Sequence, residues 1–140
     1  PLGRVKSTAK IALSEATYPS EITYDDRLKE HSFGTWEGLN LEEIEKRFPG
    51  MQDQREKDCW NFKLPEGESY AVLESRLTSF IQSIDKSQDI ILFCHEMVSK
   101  TLRKILLGLT ENQTINLTHD QFSFFVIDNK KVHQYNCNPH

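Results

Sequence analysis

Apolar residues recur at helical spacing through most of this chain and at strand spacing only in short stretches. Val5, Ala9, Ala12 and Leu13 share one face and predict a helix over 3–13, with Pro1 tolerated at its start. Beyond Pro19, Ile22-Thr23-Tyr24 suggests a short strand. A helix carrying Leu41, Ile44 and Phe48 opens at Asn40, with Glu43 in capping-box position, and stops at Pro49-Gly50. Between Met51 and Lys63 the pattern turns polar, interrupted by Trp60 and Phe62, and reads as a flap with a short helix at most. Pro65 to Ser69 is a turn, and Ser69 caps a helix striped by Val72, Leu73, Leu77, Phe80, Ile81 and Ile84.

The run Asp89-Ile90-Ile91-Leu92-Phe93-Cys94 then predicts a strand that ends in His95. Val98, Leu102, Ile105 and Leu106 predict the next helix, closed by Gly108. Ser123–Ile127 and Lys131–Asn136 form a hairpin over Asp128-Asn129-Lys130. Helices alternating with strands imply a layered α/β domain with an antiparallel contribution from the hairpin. One strong central run is few strands for such a sheet.

At 140 residues the chain is one domain or most of one. Its 37% hydrophobic and 27% charged residues are ordinary for a globular protein. A formal charge of −4 argues against a nucleic-acid or anionic-membrane binder, so an anionic small substrate needs locally placed cations. No long apolar run spans a membrane. Cys59, Cys94 and Cys137 show no CxxC spacing, hence neither a disulfide framework nor a zinc ribbon, which suits a reducing cytoplasm.

A strand ending in histidine and turning into a helix places His95 at the carboxyl edge of a sheet, where open α/β sheets bind ligands. Glu30 opens a polar and aromatic loop, and desolvation beside Phe33 and Trp36 would raise its pKa towards that of a general acid. Arg4, in the first turn of a helix, is a surface cation alone; next to another helix N-terminus it completes a phosphate pocket. Cys94 to Lys100 is no cysteine-phosphatase loop, because no glycine intervenes and lysine is not a bidentate fork. His95-Glu96 lacks the second histidine of a zinc helix, and the other histidines are dispersed, so no metal site is expected. His31 reads as an exposed loop residue, and the acidic and basic residues at 42–47 as a solvated helix face.

Pro1 to Ala9 resembles the second arginine motif of the histidine phosphatase superfamily, the phosphoglycerate mutase-like proteins. Leu28-Lys29-Glu30 with Phe33-Gly34-Thr35-Trp36-Glu37-Gly38 resembles its acid loop, Gly67-Glu68-Ser69 its Gly-Glu-Ser turn, and Phe93-Cys94-His95-Glu96 with Leu102-Arg103 its second histidine motif. The order of these motifs, across nearly the whole chain, is what makes the likeness specific. The resemblance implies a three-layer α/β/α sandwich with a mostly parallel sheet and an antiparallel edge.

It also implies cofactor-independent hydrolysis of a phosphorylated small molecule through a phosphohistidine. Arg4, His95 and the Glu96 backbone would bind the phosphate, Glu30 would be the acid, and Glu68 would assist it secondarily. Trp60, Phe62 and Lys63 would meet whatever carries the phosphate. The family's Arg-His-Gly nucleophile motif does not occur in this sequence. Residues 1–140 are therefore expected to be the carboxyl-terminal portion of a single domain, without its first strand, helix and second strand. Glu96 stands where many relatives have glycine. The short stretch from Trp36 to Glu68 favours a compact phosphatase, similar to alpha-ribazole phosphatase or the fructose-2,6-bisphosphatase domain, over a mutase. A cytoplasmic location follows, and a homodimer is compatible. The rival readings are a non-catalytic phosphate-binding or scaffold protein of the same fold, and an α/β domain with coincidental motifs.

Overall fold

The computed structural model describes residues 3–15, 22–120 and 122–137. Six helices and one hairpin follow in order among them: α1 (Gly3–Ser14), α2 (Leu41–Arg47), α3 (Met51–Lys57), α4 (Tyr70–Ser83), α5 (Glu96–Leu107), α6 (Glu111–Ile115), β1 (Ser123–Asp128) and β2 (Lys131–Asn136). Two 3₁₀ turns, Asp26–Leu28 and Gly34–Trp36, bracket the acid loop.

The helix ends obey the local chemistry. Asn40 accepts from the Glu43 amide while the Glu43 carboxylate accepts from the Asn40 amide, the reciprocal cap expected there. Ser69 accepts from the Val72 amide and starts α4. Gly108, at φ 72°, closes α5 in a conformation that other residues rarely adopt. The sequence reading passed over α6, although Thr110 and Gln113 form a second reciprocal cap. A five-residue helix offers too little periodicity to be seen.

The main core lies between α4 and α5. Leu73, Leu77, Phe80 and Ile81 meet Val98 and Leu102, with Leu28, Trp60 and Tyr70 closing one end. A smaller cluster of Trp36, Ile44 and Leu64, flanked by Phe33, Phe48 and Phe62, holds the acid loop against the flap. Val72 belongs to the solvent side rather than the stripe, being 45% exposed, and Ile84 falls just past the helix end. In α1 only Val5 and Ala9 of the expected face are buried.

The sheet departs from expectation. Among the described residues it consists of β1 and β2 alone, antiparallel from Ser123↔Asn136 to Asp128↔Lys131. Asn129 and Lys130 both take positive φ, as a two-residue hairpin turn requires. Asp89–Cys94 forms no strand, and neither does 22–24. The cause is pairing: an apolar run becomes a strand only when a neighbour supplies ladder hydrogen bonds, and no described segment pairs with it. Ile90 and Ile91 accordingly remain 44% and 75% exposed.

Candidate active site

A cleft of about 600 Å³ is lined by Arg4 of α1, by Lys29, Glu30, His31, Ser32, Phe33 and Glu37 of the acid loop, and by Glu96 and Met97 at the start of α5. Three stretches far apart in sequence thus converge on one concavity. Arg4, Glu30 and Glu96 of the expected site share it.

The acid loop is fixed by backbone contact with the 64–69 turn. The Thr35 amide donates to the Pro65 carbonyl at 3.0 Å, and the Glu68 amide to the Ser32 carbonyl at 3.0 Å. This approach needs glycines. A Cβ on Gly67 would lie 2.6 Å from the Ser32 carbonyl, and one on Gly34 would sit 2.6 Å from the Glu66 carbonyl carbon, with Gly34 at φ 55° as well.

Arg76 ties the two segments together from α4. Its guanidinium forks onto both Glu68 carboxylate oxygens at 2.9 Å, and it also donates to the backbone carbonyls of Glu30 (3.2 Å) and Arg27. Glu68 in turn accepts from the Ser32 amide at 3.1 Å. Burial alone would raise the Glu68 pKa, but the Arg76 and Ser32 bonds outweigh it and hold the carboxylate below its ordinary range. Glu68 therefore braces the loop through Arg76. The sequence held no sign of this arginine beyond a basic residue interrupting the apolar positions of α4.

Glu30 is half-buried, and its Oε1 accepts the His31 amide at 3.0 Å, so backbone orients its carboxylate. His95 is the N-cap residue of α5 by position: its carbonyl accepts the Ser99 amide at 2.8 Å, but its side chain caps nothing. That ring is 5% exposed, and its Nε2 has no hydrogen-bond partner among the described residues. Burial lowers the His95 pKa, with the Glu30 charge opposing and the Arg4 charge reinforcing the shift. His95 itself is not among the residues that line the cleft, although the next residue, Glu96, is. Glu96 pairs with Lys100 at 2.8 Å, which lowers its pKa and offsets a negative charge that would otherwise repel an anion.

Several residues sit elsewhere than expected. His31 is not an exposed loop histidine: it is 4% exposed, stacked 5.0 Å from Tyr70 and edge-on to Phe33 at 5.1 Å. Its aromatic neighbour Phe33 and the distant Tyr70 explain the burial; only the first was visible in sequence. Trp60 lies in the core, stacked on Tyr70 at 5.2 Å beneath Lys104. Phe62 packs towards Trp36 and Lys63 is exposed, so the cleft wall takes none of these three. Burial, with Glu30 adding and Arg103 opposing, pushes the Cys94 thiol up to about 12, which leaves no thiolate for nucleophilic chemistry at neutral pH. Among the described residues no group of three or more His, Cys, Asp or Glu could hold a metal ion, and no helix is long and apolar enough to cross a membrane.

The family model for the histidine phosphatase superfamily (branch 1) matches residues 1–135, and the chain belongs to that superfamily. Its fold is similar to the crystal structure of the alpha-ribazole phosphatase from Shigella flexneri, with a TM-score of 0.74 at 24% identity over 99% of this chain and 70% of that one. A putative alpha-ribazole-5′-P phosphatase from Escherichia coli gives a TM-score of 0.77 at 23% identity, with the same coverage. In sequence, 86 residues are 32% identical to the 6-phosphofructo-2-kinase/fructose-2,6-bisphosphatase of Gallus gallus, and 75 residues are 33% identical to its counterpart in Caenorhabditis elegans. These stretches are 61% and 54% of this chain but only 18% and 16% of those proteins. The fold is thus that of an α/β histidine phosphatase.

Proposed function

We propose that this chain supplies most of the active site of a phosphomonoester hydrolase acting on a phosphorylated small molecule. The observation that carries the reading is the convergence of Arg4, Glu30 and Glu96 at the N-terminus of α5 on one cleft, with His95 the residue before Glu96. A phosphate seated there meets the Arg4 guanidinium on one side and the amides opening α5 on the other. His95 faces the transferred phosphoryl group and offers an N–H to the charge that spreads over its oxygens.

Glu30 is the acid. A histidine nucleophile attacks phosphorus, the P–O bond to the carrier breaks, and the leaving oxygen takes the Glu30 proton. The resulting carboxylate then removes a proton from water, which attacks the phosphohistidine and releases phosphate. None of the residues 1–140 stands in an Arg-His-Gly motif, so the nucleophile belongs to an upstream strand–helix–strand portion of the same domain. That portion supplies the parallel strands of the three-layer sandwich and pairs with Asp89–Cys94. The names of the similar proteins agree with a phosphorylated small molecule as the substrate, and the reading places the enzyme in the cytoplasm.

The test is a full-length product containing these residues, incubated with p-nitrophenyl phosphate and with a ³²P-labelled monoester. Hydrolysis that survives EDTA and an acid-labile, base-stable protein label are the expected results. Binding of phosphate without turnover would instead favour the scaffold reading. Turnover abolished by EDTA would overturn the mechanism.

A further inference from the structure

Proton transfer by Glu30 requires its carboxylate to be held at a fixed place in the cleft. Among the described residues, the hydrogen bond to that carboxylate comes from the His31 amide, the next residue of its own loop. The acid therefore goes wherever the backbone of the loop goes. What fixes that backbone lies outside the cleft, on α4.

The Arg76 Nη2 donates to the Glu30 carbonyl at 3.2 Å, and Nη1 donates to the Arg27 carbonyl, so one guanidinium grips both ends of the segment 27–30. The same group holds Glu68 through Nε and Nη2, each at 2.9 Å. Glu68 passes the grip on, because its carboxylate accepts the Ser32 amide and its own amide donates to the Ser32 carbonyl. The residue bearing the acid is thus clamped at its carbonyl and again two positions further on. Four bonds to three residues use the planar fork of arginine, which lysine lacks. The anchor is itself rigid: Leu73 and Leu77, on either side of Arg76 in α4, are wholly buried in the main core. Arg76 does not line the cleft, but a neighbouring concavity of about 380 Å³ that shares Lys29, Glu30 and Ser32 with it. Its effect on a substrate must pass through other residues.

We infer that Arg76 is a positioning residue for the reaction, holding the Glu30 carboxylate in register with the leaving oxygen through the Arg27 and Glu30 carbonyls and the Glu68–Ser32 contact. This rests on the phosphatase reading and deepens it. A residue that only stabilised the fold would change how much enzyme is folded, not the rate of each folded molecule. Displacing a catalytic group by about 1 Å costs about 10²-fold in rate.

The test is a double-mutant cycle in the full-length product, with p-nitrophenyl phosphate as substrate and kcat expressed per folded molecule, the folded fraction being read from circular dichroism. Arg76→Ala should lower kcat by about 10- to 100-fold and move KM by less than about threefold. Added to Glu30→Gln, it should cost less than about threefold more, because the acid it serves is already gone. An unchanged kcat for Arg76→Ala, or an equal loss in both backgrounds, overturns the inference and leaves the phosphatase reading standing. If Arg76→Ala fails to fold, Arg76→Lys makes the same comparison, keeping the charge and stem without the fork. No turnover by wild type would overturn the phosphatase reading and this inference with it.

Discussion

The acid-loop region, polar and aromatic, and the apolar Asp89–Cys94 region both carry residues expected in the site, yet they end in opposite states. Around Glu30, each polar tie is made within the chain: Thr35 to Pro65, Glu68 to Ser32, and Arg76 to Glu68 and the Glu30 carbonyl. Around His95, the approach segment takes no regular secondary structure, is unpaired among the described residues, and shows Ile90 and Ile91 to solvent. The first region finds its partners in a turn and a helix of the described chain, across tertiary contacts; the second needs a sheet neighbour. An active site assembled from both is therefore braced on its acid side and open on its histidine side.

Glu30→Gln is the sharpest chemical test of the braced side. Gln keeps the size and can still accept the His31 amide, but it cannot deliver or recover a proton. Under the proposed mechanism kcat should fall by about 10²–10⁴-fold with little change in KM. The check is steady-state kinetics of the full-length enzyme, and a loss under about tenfold would remove Glu30 from the acid role.

Gly34→Ala tests the same loop through stability. The residue holds φ 55°, and a Cβ would press on the 65–67 turn from 2.6 Å at the Glu66 carbonyl carbon. Left-handed backbone costs about 1–2 kcal/mol and overpacking about 1–3. A drop of about 2–5 kcal/mol in urea unfolding is expected, and near-neutrality would mean the loop and turn do not touch as described.

Arg76→Leu probes the same brace by charge. Glu68 and Arg76 side chains are 20% and 19% exposed, so water screens part of the pair, and about 1–3 kcal/mol is expected at pH 7. The pH dependence carries the sign. Glu68 has a folded pKa depressed below its unfolded value, so its contribution is complete above the unfolded pKa. It is lost as pH falls from that value through the lower, folded one. Stability from Glu68 should hold down to about pH 5 and decline below it. Arg76→Leu should flatten that acid decline, measurable by unfolding at pH 7 and pH 3.5.

What could be read ahead of the structure follows the same division. Caps at Asn40 and Ser69, the stop at Gly108 and the α4 stripe were legible because each depends on residues within a few positions. The motif positions of Arg4, Glu30 and Glu96 were legible as a resemblance, and the cleft joins them. Arg76 was not, since its partners lie at Glu68, Glu30 and Arg27 across a tertiary contact. The burial of His31 depends on Tyr70 closing over it, and that of Trp60 on the same ring from the other side. A central strand was read from apolarity alone, which records a tendency to be buried but not the neighbour that does the burying.

The smallest expected effect tests the open side. Among the described residues Ile91 is the most exposed large apolar one, at 75%, and it belongs to neither core cluster. In the 140-residue chain, Ile91→Ser should change stability by less than about 0.5 kcal/mol, as a surface substitution does. Leu73→Ala, at a wholly buried position of α4, is the internal standard and should cost about 2–5 kcal/mol in the same urea titration. A loss of 2 kcal/mol or more for Ile91→Ser would mean that the segment is covered in solution and that the two regions do not differ. In a product that carries the proposed upstream portion the prediction reverses. There, pairing Asp89–Cys94 into a sheet would bury one or both isoleucines, and a cost that appears only in the longer chain would locate the proposed neighbour against this segment.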